Sequence, residues 1–187
     1  MKMNRTVLYY FLVMVAITAV CRVIPRPDGL AGFAPQLAIA IFAGAIIKDK
    51  KFSFLLPFFS MLLSDCFYEI LFRNGLAPYG GFYSGQWQNY LLICSMTVIG
   101  FFIKRINVKT VLTSALAAPL IYFILSNFVV WAGHGGYQRP MTFAGLIQCY
   151  GDGLPFLVGS IVSSLFFSAL FFGTYVLLVK KRQPAIA

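Results

Sequence analysis

The chain has 187 residues, 60% of them hydrophobic and 11% charged, and a formal net charge of +10. That balance excludes a soluble globular domain and a disordered segment, and places the chain among integral membrane proteins. The positive charge does not build a nucleic-acid surface: lysines and arginines fall in short clusters between apolar runs, a topogenic pattern with no single patch.

Six membrane helices are predicted, at about 7–24, 30–47, 52–72, 87–103, 110–132 and 155–179, each near the roughly 20 residues a bilayer crossing needs. Residues 1–187 form one integral membrane domain. Lys2 and Arg5 precede the first run, but Val20 stands before Cys21 and no A-x-A site follows, so the first helix is expected to remain uncleaved. Pro25 and Pro27 end it, and Pro35 suits the opening turn of the second.

The third run, FSFLLPFFSMLLSDCFYEILF, carries Asp65 and Glu69, four residues apart and so on one helical face. Asp65 lies roughly 20 Å in from Phe52 at about 1.5 Å per residue, inside the apolar layer. A carboxylate at that depth belongs in a protein interior or a wet cavity. Two readings stay open. The acids line a pocket, or they only form ion pairs, Glu69 with Arg73 and Asp65 with Arg22. The fifth helix brings Asn127, Trp131 and His134 onto one stripe at its end. Beyond it, Met141–Tyr150 reads as a short helix lying at the surface, with Gln148 and Tyr150 over the pocket mouth.

With the N-terminus inside, eleven basic residues face the cytoplasm and four face out: Arg22, Arg26, Arg73 and Arg139. Both termini are therefore expected to be cytoplasmic. Four of the five acidic residues (Asp28, Asp65, Glu69 and Asp152) fall in the outer half, with Tyr68, Tyr79, Tyr83, Trp87, Tyr90, Trp131, Tyr137 and Tyr150. The aromatics alone fit an interfacial belt. Together with amides and acids under three loops, they fit a binding pocket.

The four cysteines make no C-x-x-C pair. No G-x-x-x-x-G-K-[ST], H-E-x-x-H or G-x-S-x-G is present, so neither a P-loop nor those hydrolase chemistries are expected. Ala40 with Gly44, and Ser160, Ser164 and Ser168, mark seams of close helix packing.

The stretches RVIP, FAPQLAIAIFAGAI and FLLPFFSMLLSD, with the later NFVVWAGHGGYQRPMTFAGLIQCYGDGLPF, resemble the substrate-binding S components of energy-coupling-factor (ECF) transporters and a membrane family labelled S-component-like. The resemblance runs from Arg22 to Tyr175. It implies an all-α bundle of six transmembrane helices with cytoplasmic termini, and a vitamin-like molecule held under loops 1–2, 3–4 and 5–6. It also implies a separate coupling subunit and ATPases as partners. Helix one departs from the family's Ala-x-x-x-Ala docking pattern, offering Ala16 and Ala19.

The expected protein is therefore a multi-pass subunit of the bacterial inner membrane that binds a small organic micronutrient for uptake. It is not expected to be an enzyme or to hold a cofactor or metal. Asp65, Glu69, Asn127 and Trp131 are expected to line the pocket, and Tyr68, His134, Gln148 and Tyr150 its mouth. The competing readings are an intramembrane enzyme using Asp65 and Glu69, and a structural subunit without ligand.

Overall fold

The computed structural model describes residues 5–23 and 31–180, which form helices and the connections between them, with no strand among these residues. Eight α-helices are present: α1 (Arg5–Val23), α2 (Gln36–Ile46), α3 (Lys50–Ser53), α4 (Leu55–Arg73), α5 (Gln86–Ser95), α6 (Thr97–Phe101), α7 (Val108–Ala132) and α8 (Phe143–Tyr175), which runs on into a π-helical turn, Val176–Lys180. They group into six rods, because α3 and α4 nearly join, as do α5 and α6. Three helical stretches are long and apolar enough to cross a membrane: Lys50–Arg73, Val108–Ala132 and Phe143–Leu178. Large apolar side chains such as Leu12, Val13, Phe59, Ile124 and Phe166 lie exposed on the outside of the bundle, the surface a lipid solvent favours.

Proline chemistry sets one break. Pro57 has no N–H for the carbonyl of Ser53, so α3 ends at Ser53 and α4 starts anew with Pro57 in its first turn. The start of α7 is fixed by a capping box: Asn107 accepts from the Thr110 N–H at 2.9 Å and the Thr110 hydroxyl receives the Asn107 N–H at 3.3 Å.

The second helix differs from expectation. It spans 11 residues rather than 30–47, about 16 Å at 1.5 Å per residue, and every residue from Gln36 to Gly44 is buried. It is the central strut of the bundle. Phe42 stands in its middle, edge-on to Phe172 at 5.1 Å and to Phe11, Phe171 and Tyr175 between 5.6 and 6.3 Å. Its far end meets α6 with backbone nearly touching backbone. A methyl on Gly44 would lie 2.1 Å from the Thr97 carbonyl oxygen, and one on Gly100 2.1 Å from that of Ile41. The Ala40/Gly44 seam thus serves internal packing.

The largest correction concerns α8. Met141–Tyr150 is not a separate surface helix; from Phe143 it is continuous with the last rod, giving a single helix of 33 residues. Thr142 caps it by accepting from the Gly145 N–H at 3.1 Å. Pro155 leaves the Gly151 carbonyl without its helical donor but does not interrupt the helix, because α8 is held along its length against α7 and the segment before α2.

Candidate functional site

Where α2 and α5 begin, α7 ends and α8 runs through its first turns, the helices part around a cavity of about 450 Å³. That is within the roughly 300–1,000 Å³ typical of small-molecule sites. Two helices present regular faces to it. Tyr122, Phe123, Ser126, Asn127 and Val130 of α7 recur at three- and four-residue spacing, as do Cys149, Asp152, Gly153, Phe156 and Ser160 of α8. Asn89 and Ile93 of α5 and Gln36 and Leu37 of α2 complete the wall, with Gly32, Ala34, Gly136 and Tyr137 from the two flanking connections.

Close backbone contacts hold the first connection in place. Gly32 has φ +79°, and a side chain there would meet the Phe156 carbonyl oxygen at 2.3 Å. A methyl on Gly159 would lie 1.9 Å from the Ala31 oxygen, and the Ser160 hydroxyl donates to the Gly32 carbonyl at 3.2 Å. The second connection is held by a charge pair. Arg139 donates to both Asp152 oxygens, at 2.8 and 2.9 Å, with its guanidinium 5.6 Å from the Tyr137 ring. The hydrogen bonds to Asp152 raise the Arg139 pKa above its ordinary value.

Other polar groups on the wall are neutral. The Tyr122 hydroxyl donates to Asn89 Oδ1 at 2.6 Å. Asn127 Nδ2 donates to the Phe123 carbonyl at 2.8 Å, and its Oδ1 abuts Gly153 so closely that a methyl there would sit 2.4 Å away. Gln36 stands apart. It is 3% exposed, and neither its Nε2 nor its Oε1 has a hydrogen-bond partner among the described residues. Leaving a buried polar group unmet costs about 1–3 kcal/mol. Gln36→Leu protein, with no ligand added, is therefore expected to melt a few degrees above wild type by circular dichroism; a lower midpoint would show that the amide is satisfied.

Of the eight residues expected at the site, Asn127 alone is on the cavity wall. Asp65 and Glu69 are elsewhere, fastening the connection between α4 and α5. Asp65 is 1% exposed and accepts from Gln86 Nε2 and the Tyr90 hydroxyl, both of α5. Glu69 accepts from Arg73 Nε at 2.8 Å and from the Gly81 N–H at 3.1 Å. Gly81 presses on α4 so tightly that a methyl would lie 1.8 Å from the Asp65 carbonyl oxygen. The Glu69–Arg73 pair is as expected; the suggested Arg22 partner of Asp65 lies outside the described side chains. Tyr68 is half-buried on α4. Trp131 donates to the Pro140 carbonyl at 2.9 Å, and Tyr150 to that of Ile124 at 3.1 Å, so both brace the α7–α8 hairpin. His134 is exposed at φ +52°, and Gln148 is exposed.

Sequence reasoning passed over Gln36, Asn89, Tyr122 and Ser126. A signal existed for Gln36: it is the polar side chain in FAPQLAIAIFAGAI. Its orphaned amide is visible only in three dimensions.

No curated protein and no solved structure matches the chain. A family model does, over residues 1–186, and the chain belongs to that family, a family of unknown function (DUF6580).

Proposed function

We propose that this protein is the substrate-binding membrane subunit of an uptake system for a vitamin-like small organic micronutrient, working as an S component does. In this reading the six-rod bundle, with α2 as its short buried strut, sits in the bacterial inner membrane with both termini cytoplasmic, and the cavity opens outward. Transport is energised by a separate coupling subunit and ATPases, or the subunit acts alone. The observation that carries the reading is the cavity of about 450 Å³ beneath two pinned connections, walled by aromatic rings, amides and hydroxyls. Such a chamber suits capture of a guest molecule. The intramembrane-enzyme reading is less well supported, because Asp65 and Glu69 are committed to hydrogen bonds away from the cavity.

The test is recovery of the guest. Wild-type protein purified from its native membrane is expected to carry a small molecule detectable by native mass spectrometry. Ser126→Trp, which fills the cavity from α7, is expected to carry none while remaining monodisperse. Equal recovery from both proteins, or none from wild type, would overturn the reading. Co-purifying ATPases would identify the energised form.

A further inference from the structure

Gln36 points to the chemistry of the guest. We infer that the cavity takes an uncharged, flat ring bearing an N–H beside a C=O, a lactam edge, and that Gln36 reads that edge with its amide. The inference rests on the proposed binding function and specifies its substrate class.

Three observations converge. First, Gln36 is buried on the cavity wall with a donor and an acceptor both unmet. A primary amide offers one of each side by side, and the group that satisfies both at once offers the same pair in reverse. Its flexible stem allows the amide to turn toward a guest in the cavity it lines. A ketone, which only accepts, leaves the amide oxygen unsatisfied.

Second, among the described residues the wall has no spare charge to neutralise an ion. Asp152 is held at both oxygens by Arg139, and the remaining polar groups are amides and hydroxyls. A carboxylic acid presents the right hydrogen-bond pair but ionises at neutral pH, and its anion would lie here without a counter-charge. The uncharged lactam edge does not.

Third, the same cavity is lined by the rings of Tyr122, Phe123 and Phe156, surfaces on which a flat ring packs. Asn89, whose Oδ1 accepts from Tyr122, lies on the same wall and offers its Nδ2 as a donor to the guest.

The experiment uses full-length protein in lipid nanodiscs and two probes, 2-pyridone and N-methyl-2-pyridone, titrated by ligand-observed NMR. The probes differ by a methyl that removes the N–H. Wild type is expected to bind 2-pyridone about 10-fold more tightly than its N-methyl analogue, since the methyl leaves the Gln36 oxygen unmet. In Gln36→Leu both probes lose the bond to the ring C=O, and 2-pyridone also loses the bond from its N–H, so the 10-fold difference between them should disappear. Circular dichroism checks that the variant is folded. Equal binding of the two probes to wild type, or undiminished 2-pyridone binding to Gln36→Leu, overturns the lactam edge. Failure of both probes on wild type overturns it too. The uptake reading falls separately, when wild-type protein yields no guest that Ser126→Trp lacks.

Discussion

Asp65→Ala protein is expected to unfold about 10 °C below wild type. The side chain is buried, and its carboxylate is the shared acceptor for Gln86 Nε2 and the Tyr90 hydroxyl. Hydrogen bonds to a charged acceptor are worth about 1.5–3 kcal/mol each, and a kilocalorie moves the midpoint of a chain this size by about 2–4 °C. The damage should be local at first: Gln86 also donates to the Gly81 carbonyl at 2.9 Å, so losing Asp65 loosens the connection between α4 and α5. Amide exchange in residues 76–85 should quicken before the bundle melts. Asp65→Asn keeps an acceptor oxygen and should lose less than half as much. Binding in the cavity should survive in the folded fraction of either variant, because Asp65 is not on its wall. An unchanged midpoint in Asp65→Ala would refute the fastening role.

Gly100→Val is expected to be comparably severe, and Gly44→Val likewise. Each would drive a side chain into main chain, the Ile41 oxygen in one case and the Thr97 oxygen in the other, both at 2.1 Å from the new Cβ. Overpacking costs about 1–3 kcal/mol where side chains can shift; with peptide groups on both sides no rotamer relieves it, so about 3 kcal/mol or more is expected. Gly173→Ala supplies the control. It lies in the same type of structure with nothing within 4 Å of the added methyl, and is expected to be neutral or slightly stabilising. Thermal melts of the three variants side by side check the ordering. Equal midpoints would mean that α2 and α6 can part freely.

The number of rods was legible in the sequence because it depends on apolar length alone. What was not legible depends on where freed backbone groups go. The run from Leu30 to Ile47 reads as one helix, but residues 31–35 are held outside the helix by Gly32 and Gly159, which let them lie on α8. Met141–Tyr150 reads as a short surface helix separate from the last rod, since Gly151, Gly153 and Pro155 are poor helix formers, yet packing on α7 carries the helix through them. The site followed the same rule. Asn127 was identified because an amide deep in an apolar run must have a use. Asp65 and Glu69 drew attention for the same reason, but a buried acid can be met from within the protein, and here it is. Gln36 opens its helix behind a proline and so reads as an interfacial residue. Only the surroundings of its amide distinguish it.

Pro155 gives the cavity wall a mechanical property. The hydrogen bond that would stiffen α8 between Gly151 and Pro155 cannot form, and neither residue 151 nor its surroundings crowd the gap. Bending of α8 is therefore least resisted at this gap, beside Asp152 and its Arg139 pair, while the turns before it are braced to α7 through Tyr150. By contrast, the buried strut of α2 and its crossing with α6 at Gly44 and Gly100 have no such gap.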